Sequence, residues 1–402
     1  MGKIVVVGAG QAGASLVATL RSEGWDGDIT LIGEEDAPPY QRPPLSKAYL
    51  LGDMPRERLF LRPESFYAEQ GIDLRIGTRV TGIDRAAKRV GLENGEALDY
   101  DHLALTTGSS PRALPSAIGG DMDGVYVLRT LGCVDKLSPV CKPGAHVLVV
   151  GGGYIGLEAA AVCAKIGMKV TLIEMAERIL NRVASDETAA YFRDLHSERG
   201  VEILEGCGLT RLEGDGHVAQ AVLSDGTHLD VDLVLAGIGI VPNVELADAA
   251  GLDLDNGIAV NALGQTSDLA IWSAGDCASL PWRGVRLRLE SVQNAIEQAE
   301  VVAKNMLGAA VEYDPHPWFW SDQYDVKLQI AGLNSGYDRL VVRGDGPSRS
   351  HWYYKGDRLI AVDAMNDARG YMVGKRLIES GKSPAPEAVA DRDTDLKALL
   401  RG

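Results

Sequence analysis

The sequence predicts an α/β chain of two parallel-sheet domains followed by a smaller α+β domain. Three observations point there. A strand, a glycine-rich turn, a helix and a second strand occur in that order twice, over residues 3–34 and 146–174. A hairpin leading into a buried strand that exits at glycine also occurs twice, ending at Gly108 and Gly239. From residue 317 onward the pattern changes to short strands with turns between them, then one helix. A chain of 402 residues has room for several such domains, each with its own core.

In order along the chain, Lys3 to Val7 is a β-branched run that enters Gly8-Ala9-Gly10-Gln11-Ala12-Gly13. Helical spacing follows at Ala14, Val17, Ala18 and Leu20, and Ile29 to Ile32 is a strand ending near Glu34 and Glu35. The second copy runs from Val147–Val150 into Gly151-Gly152-Gly153-Tyr154-Ile155-Gly156. It continues as a helix over about Leu157 to Lys165 and returns as Val170 to Ile173 before Glu174. In such a turn the first glycine permits the bend and the second lets backbone approach a pyrophosphate. The third lets helix pack on strand, the helix N-terminus faces the phosphates, and a carboxylate about 20 residues on takes ribose hydroxyls. One such turn is weak evidence. Two in the same context, each with its carboxylate, predict two Rossmann-like dinucleotide-binding domains and two nucleotide cofactors.

Each domain closes in the same way. Asn94-Gly95 turns into a strand from Leu103 to Gly108, and Asp225-Gly226 turns into a strand from Leu233 to Gly239. Thr107 and Gly108 thus exit at the first nucleotide site and Gly239 at the second. Thr266 to Ala274 is an apolar strand ending in Gly275-Asp276, and Glu290-Ser291-Val292 opens a helix about 14 residues later. A carboxylate at a strand end can hold sugar-alcohol hydroxyls, and a helix N-terminus can stabilise negative charge on a reduced ring. Past residue 317, strands are expected at Val326–Ala331, Arg339–Arg343, His351–Lys355 and Arg358–Asp363, then a helix from about Arg369 to Glu379. The Pro-, Ala- and Asp-rich tail after Lys382 is expected on the surface.

Composition excludes other classes. Forty Lys plus Arg against 56 Asp plus Glu give a net charge of −16, which argues against wrapping nucleic acid or lying on an anionic membrane. Five Cys make no disulfide framework and predict reduced thiols in the cytoplasm. The run Ile4–Val7 is too short for a signal-peptide core, and no stretch of about 20 apolar residues spans a membrane. Seven scattered His give no metal-ligand spacing, and no Ser–His–Asp signature appears.

Four features carry a family resemblance. They are the doubled glycine turns, Tyr40-Gln41-Arg42-Pro43-Pro44-Leu45-Ser46-Lys47, Gly275-Asp276, and Trp318-Phe319-Trp320-Ser321-Asp322-Gln323-Tyr324. With them the whole chain resembles the FAD-dependent pyridine-nucleotide oxidoreductases of the glutathione-reductase structural class. More narrowly it is similar to the NADH-dependent ferredoxin reductases that feed bacterial cytochrome monooxygenases and aromatic-ring dioxygenases. The resemblance implies FAD on Gly8, Gly10, Ala12 and Gly13, with Glu34 or Glu35 on its adenosine ribose. Arg42 and Lys47 would reach its pyrophosphate and flavin, Val80 its adenine, and Asp276 its ribityl chain. Arg129 would support binding, and Glu290, Ser291 and Val292 would meet the pyrimidine edge. It implies NADH on Gly151, Gly153, Ile155 and Gly156, with Glu174 on the ribose and Tyr154 gating the nicotinamide. A carboxylate at Glu174 favours a free 2′-hydroxyl over a 2′-phosphate, and the nearby Arg178 would soften that preference.

The family further implies that Lys47 and Glu158 pair beside the reactive flavin nitrogen and that Trp320 lies on the flavin side. Hydride would pass from NADH to FAD, with Lys47 stabilising the reduced ring and Glu158 holding Lys47. Each residue has a plainer reading: Lys47 and Glu158 as surface charges, Trp320 as core. Disulfide-reducing relatives need two thiols after the first acidic strand and peroxide-reducing ones need one. Residues 36–52 contain none, so dithiol exchange is not expected. Electrons would instead leave singly to a 2Fe–2S ferredoxin. Such carriers are usually acidic, so docking would need a local basic face, for which Arg283, Arg286 and Arg288 are the candidates, against a plainer reading as solvated loop charges. Two other readings stand beside this one: a reductase for rubredoxin or another carrier, and an NADH-sensing flavoprotein resembling apoptosis-inducing factor. The expected domains are FAD-binding at 1–111 and 241–316, NAD-binding at 112–240, and a C-terminal interface domain at 317–402. A monomer or weak dimer is expected.

Overall fold

Lys3–Val7 has the β-branched density of a strand buried on both faces, and it forms the middle of a five-stranded parallel sheet. The computed structural model describes residues 2–401. Its internal contacts divide the chain into two units, one of residues 1–42, 55–110 and 240–315, the other of 43–54, 111–239 and 316–402.

In the first unit the strand order is Ile271–Ser273, His102–Leu105, Lys3–Val7, Asp28–Ile32, Ile72–Arg75, all parallel. Alternation along Lys3–Val7 divides the core in two. Ile4 and Val6 pack with Leu16, Val17 and Leu20 of helix Gln11–Ser22 and with Ala299 and Val302 of helix Val292–Met306. Val5 and Val7 pack on the other side with Val90, Tyr100, Leu103 and Leu105. A three-stranded antiparallel sheet, Val80–Asp84, Arg89–Leu92 and Ala97–Asp99, supplies part of that second core.

The second unit repeats the plan. His146–Val150 lies between Lys169–Glu174 and Leu233–Ala236, as Lys3–Val7 lies between Asp28–Ile32 and His102–Leu105. Glu202–Glu205 and Val125–Val127 complete the parallel sheet. The helix after the second glycine turn begins at Tyr154, three residues before its expected start, and runs to Ile166. Gly153 is its N-cap, so the turn itself supplies the first helical residues.

The same unit contains a five-stranded antiparallel sheet in the order Trp318–Gln323, Val326–Gly332, Arg358–Met365, Ser348–Lys355, Arg339–Asp345. Its first strand was not expected from the sequence, because Trp-Phe-Trp shows no apolar–polar alternation. The helix Ala368–Glu379 is capped by the Asp367 side chain, which accepts from the Gly370 N–H. The tail after Lys382 corrects an expectation: it does not lie wholly on the surface. Val389 is fully buried and Leu396 nearly so, against Trp352, Tyr354 and Leu377. The Arg343 guanidinium, whose donors face four carbonyls at Val389, Asp391, Arg392 and Thr394, draws the tail back onto the sheet.

Among the described residues no helix is long and apolar enough to cross a membrane, and no cluster of His, Cys, Asp or Glu is placed to hold a metal ion.

Candidate functional site

The first glycine turn is shaped by steric exclusion. A Cβ on Gly8, whose φ is +113°, would lie 2.2 Å from the Thr106 carbonyl oxygen, and one on Gly13 would lie 2.1 Å from that of Gly8. These two positions hold strand, turn and helix in contact. Gly10 is different: a Cβ there would meet nothing within 4 Å. It is the N-cap of Gln11–Ser22 and offers no side-chain cap, so no capping side chain takes the first N–H groups of the helix. A backbone cradle with exposed donors and no side chain in front of it fits a pyrophosphate. Ala12 is buried at the back of this cradle, next to where a Gly275 side chain would begin.

Of the two carboxylates after Asp28–Ile32, Glu35 takes Arg42 at 2.6 Å and the Tyr40 hydroxyl. Burial works against the Arg42 charge, but Tyr40 and Glu35 outweigh it and raise its pKa. Glu34 is mostly exposed and pairs at 3.2 Å with Arg79, leaving acceptor capacity toward solvent. Val80 is buried in the core. Thr107 is locked to Asn243, donating its hydroxyl at 2.7 Å and accepting the Asn243 amide at 2.8 Å, while the Gly108 carbonyl accepts the Asn243 N–H. Gly275 donates its N–H to Gln298 on helix Val292–Met306, which fixes the loop carrying Asp276; Ser109 donates to that carboxylate at 2.8 Å. Ser291 caps the helix by accepting from the Asn294 N–H.

The three arginines between Asp276 and Glu290 do not make one free basic patch. Arg283 is exposed at a hairpin tip and stacks 4.4 Å from the Trp282 ring. Arg286 is tied to Ser279 and the Val260 carbonyl and lies 3.5 Å from Asp255. Arg288 pairs with Glu290 at 2.6 Å, its side chain 10% exposed. Arg286 thus stays exposed but engaged, on the hairpin strand Val285–Leu287 that pairs with Ala278–Trp282, while Arg288 is largely covered.

In the second unit the cradle recurs. A Cβ on Gly151 would come within 2.5 Å of the Gly237 carbonyl and one on Gly156 within 2.0 Å of that of Gly151, whereas Gly153 faces open space. Ile155 is half-exposed on the first turn of the helix. Glu174 accepts from the N–H groups of Gly152 at 2.7 Å and Ala176 at 2.8 Å, which holds the carboxylate at the end of its strand beside the turn. Gly239 keeps φ at +100° and accepts the Arg112 N–H. Arg178 is not turned to the nucleotide side as a free cation: it pairs with Asp186 at 2.6 Å and donates to the Ala184 carbonyl. Arg129 lies between strand Val125–Val127 and helix Leu131–Leu137.

The structure brings Lys47 and Glu158 together. Pro43–Ser46 forms a 3₁₀ turn that packs on the helix Tyr154–Ile166, and Lys47 Nζ lies 2.9 Å from Glu158 Oε2. Ser46 donates to the same oxygen at 2.9 Å and Ser321 to Oε1 at 2.7 Å. Tyr154, one helical turn earlier on the same face, is half-buried with its hydroxyl covered and its ring 5.2 Å from Phe319. Trp320 points to the opposite sheet face and stacks 5.5 Å from Trp318, which lies under Lys375. Ser46, Ser321, Asn243 and Gln298 were missed by sequence reasoning. Two sit inside quoted motifs, but a lone serine carries no spacing signal. All five cysteines are free thiols, and none lies within residues 36–52.

Comparison with known proteins agrees with this architecture. A family model described as pyridine nucleotide-disulphide oxidoreductase matches residues 2–299, and one described as reductase C-terminal matches residues 318–400. The chain is 42% identical over 410 aligned positions to putidaredoxin reductase CamA of Pseudomonas putida, covering 99% of this chain and 96% of that protein. It is 43% identical over 402 positions to rhodocoxin reductase of Rhodococcus erythropolis, covering 99% and 94%. Among solved structures, the covalent putidaredoxin reductase–putidaredoxin complex superimposes with a TM-score of 0.96 at 42% identity, covering 100% of this chain and 98% of that one.

Proposed function

The chain belongs to the pyridine nucleotide-disulphide oxidoreductase family, and on that premise we propose that it is a ferredoxin reductase, drawing on NADH and serving a 2Fe–2S carrier of a bacterial oxygenase system. It is an oxidoreductase that binds FAD and NAD(H). The observation that carries the finer reading is the Lys47–Glu158 pair, set in a segment without cysteine. Relatives that exchange disulfides need thiols there; this chain offers a cation held by a buried carboxylate instead.

When bound, FAD supplies the conversion of a two-electron hydride donor to one-electron delivery. The residues of the chain do the positioning. Gly8, Gly10 and Gly13 with the helix start at Gln11 hold one pyrophosphate, with Glu34 on the adjoining ribose. Asp276, fixed by Ser109 and Gln298, takes the ribityl hydroxyls. Gly151, Gly153 and Gly156 hold the second pyrophosphate, and Glu174 takes the ribose hydroxyls and repels a 2′-phosphate. With Arg178 engaged by Asp186, the preference for NADH follows from the carboxylate alone. Lys47 presents its ammonium where negative charge develops, and Glu158 with Ser46 and Ser321 fixes its direction. The covalent complex of a relative with putidaredoxin supports a ferredoxin of that type as partner. Arg283, exposed at its hairpin tip beside Trp282, is the arginine of the three best placed to steer it.

The test is anaerobic stopped-flow reduction of the FAD-loaded protein by NADH and by NADPH, followed by mixing with 2Fe–2S ferredoxins. Fast reduction by NADH and onward transfer are expected; comparable rates with NADPH, or no transfer to any ferredoxin, overturn the reading. Arg283→Glu should slow ferredoxin reduction and leave ferricyanide reduction unchanged, and equal loss with both acceptors would remove Arg283 from docking.

A further inference from the structure

One face of the antiparallel sheet meets the helices Tyr154–Ile166 and Asp186–Glu198 through a row of side chains set by register. Phe319 pairs with Ile330, Ile330 with Asp363, and Asp363 with His351, so all four project to the same face. Tyr154 stacks on Phe319 at one end of the row. At the other end the Thr188 hydroxyl lies 2.9 Å from Asp363 Oδ2 and 2.7 Å from His351 Nδ1. The Tyr353 hydroxyl donates to Asp363 Oδ2 as well, and itself accepts the Ser185 N–H at 3.1 Å.

Counting protons leaves three atoms over. The single Thr188 proton goes to Asp363, so His351 Nδ1 must carry the proton it shares with Thr188, and its Nε2 is a bare acceptor. Asp363 Oδ1, His351 Nε2 and the Tyr154 hydroxyl are all buried without a hydrogen-bond partner among the described residues. Burial, with Asp363 and Tyr353 adding to it, raises the Tyr154 phenol well above its usual range, so it stays a proton donor. Tyr154 supplies one donor, within electrostatic reach of Asp363, and Asp363 and His351 supply one bare acceptor each; together they are the complement of a single water molecule.

We propose that Asp363 is a positioning residue for the second nucleotide turn, taking the Tyr154 hydroxyl through one internal water shared with His351. The consequence reaches the cradle because Tyr154 is the first residue of the helix whose free N–H groups face the pyrophosphate position. With the ring held against Phe319, that first turn is preorganised for the dinucleotide. The inference rests on the reading of this turn as the NAD(H) site.

Burial pushes the Asp363 carboxyl up to about 6, against the pull of Tyr353 and Thr188. Above that pH the carboxylate is a strong acceptor and the turn is held; below it the neutral acid holds the turn less firmly. The titratable groups that face Asp363 are His351 and Tyr353 on the next strand, Tyr154 on the helix Tyr154–Ile166, and Tyr337, whose ring packs on Tyr353. Arg349 acts on His351, and Asp186, Glu187 and Arg178 lie beyond Tyr337. Burial holds His351 at about 4 and raises all three tyrosines, so none of these groups titrates near 6.

The experiment is calorimetric titration of NAD⁺ into the oxidised, FAD-loaded protein between about pH 5 and pH 8. The wild type should lose affinity about three- to tenfold as pH falls through the Asp363 transition. Asp363→Asn and Tyr154→Phe should each give a flat profile at the weaker level. Should Asp363→Asn not fold, Tyr154→Phe carries the same test. A flat wild-type profile, or an inflection that survives in the variants, overturns the proposal while leaving the nucleotide site intact. Absence of NAD⁺ binding at every pH overturns the assignment of the site itself and this inference with it.

Discussion

Glu158 is 6% exposed, and a carboxylate so buried must be matched by donors or it is costly. It has three, from Lys47, Ser46 and Ser321. Glu158→Gln keeps the shape and removes the charge that directs the ammonium. We expect FAD content to be unchanged and the rate of reduction by NADH to fall about tenfold or more, read by stopped flow; an unchanged rate would make the pair purely structural. Arg178 poses the opposite case. Its partner Asp186 is 84% exposed, so the ion pair adds little stability. Asp186→Ala should leave the melting temperature nearly unchanged while removing the ion-pair partner of a guanidinium four residues along the chain from Glu174. The NADPH-to-NADH ratio of kcat/KM should then rise several-fold, roughly the worth of one charged contact partly opposed by Glu174. A ratio that stays fixed would show that Arg178 cannot reach the ribose.

At the scale of elements, the two glycine turns separate steric from functional glycines. Gly151 and Gly156 cannot carry a Cβ without displacing backbone. Gly153 can: its φ is −78° and the space in front of it is open. Gly153→Ala should therefore fold normally, keep its FAD, and bind NAD⁺ at least about tenfold more weakly, because the methyl occupies the phosphate approach. Loss of FAD or of folding in this variant would contradict the assignment. The turns were legible in sequence because their constraints are local: strand, glycine spacing, helix and carboxylate lie within about 30 residues. The hairpins were legible for the same reason, through Asn94-Gly95 and Asp225-Gly226. Trp318–Gln323 was not, since its strand character comes from pairing with Val326–Gly332 and its polar residues are satisfied by distant helices at Glu158 and His196. Nor was the tail, whose burial depends on Arg343 reaching carbonyls nearly 50 residues away. The arginine cluster looked like a patch because sequence counts charges and not their partners: Asp255 and Glu290 neutralise two of the three.

For the whole molecule, the net charge of −16 and the buried histidines make opposite demands on acid stability. Mild acid protonates surface carboxylates, shrinks the net charge and relieves self-repulsion, which favours the folded state. Burial depresses His196 and His351 to about 4, from an ordinary value near 6.5. Their unfolded forms bind protons first, so the stability they contribute is complete above about 6.5 and is lost as pH falls toward 4. Shifts of that size are worth on the order of 3 kcal/mol each. Asp363 works the other way: raised to about 6, it costs stability when ionised, and that cost is relieved as pH falls through 6. Two histidines against one carboxyl leave a net loss on acidification, and all three lie in the unit that carries the second nucleotide turn. The melting temperature should therefore fall from pH 7 to about pH 4.5, although the shrinking charge alone would raise it. His196→Gln, which keeps a donor toward Gln323 but cannot titrate, should flatten that slope. If the variant and the wild type lose stability with the same slope, the acid sensitivity does not originate in the buried imidazoles.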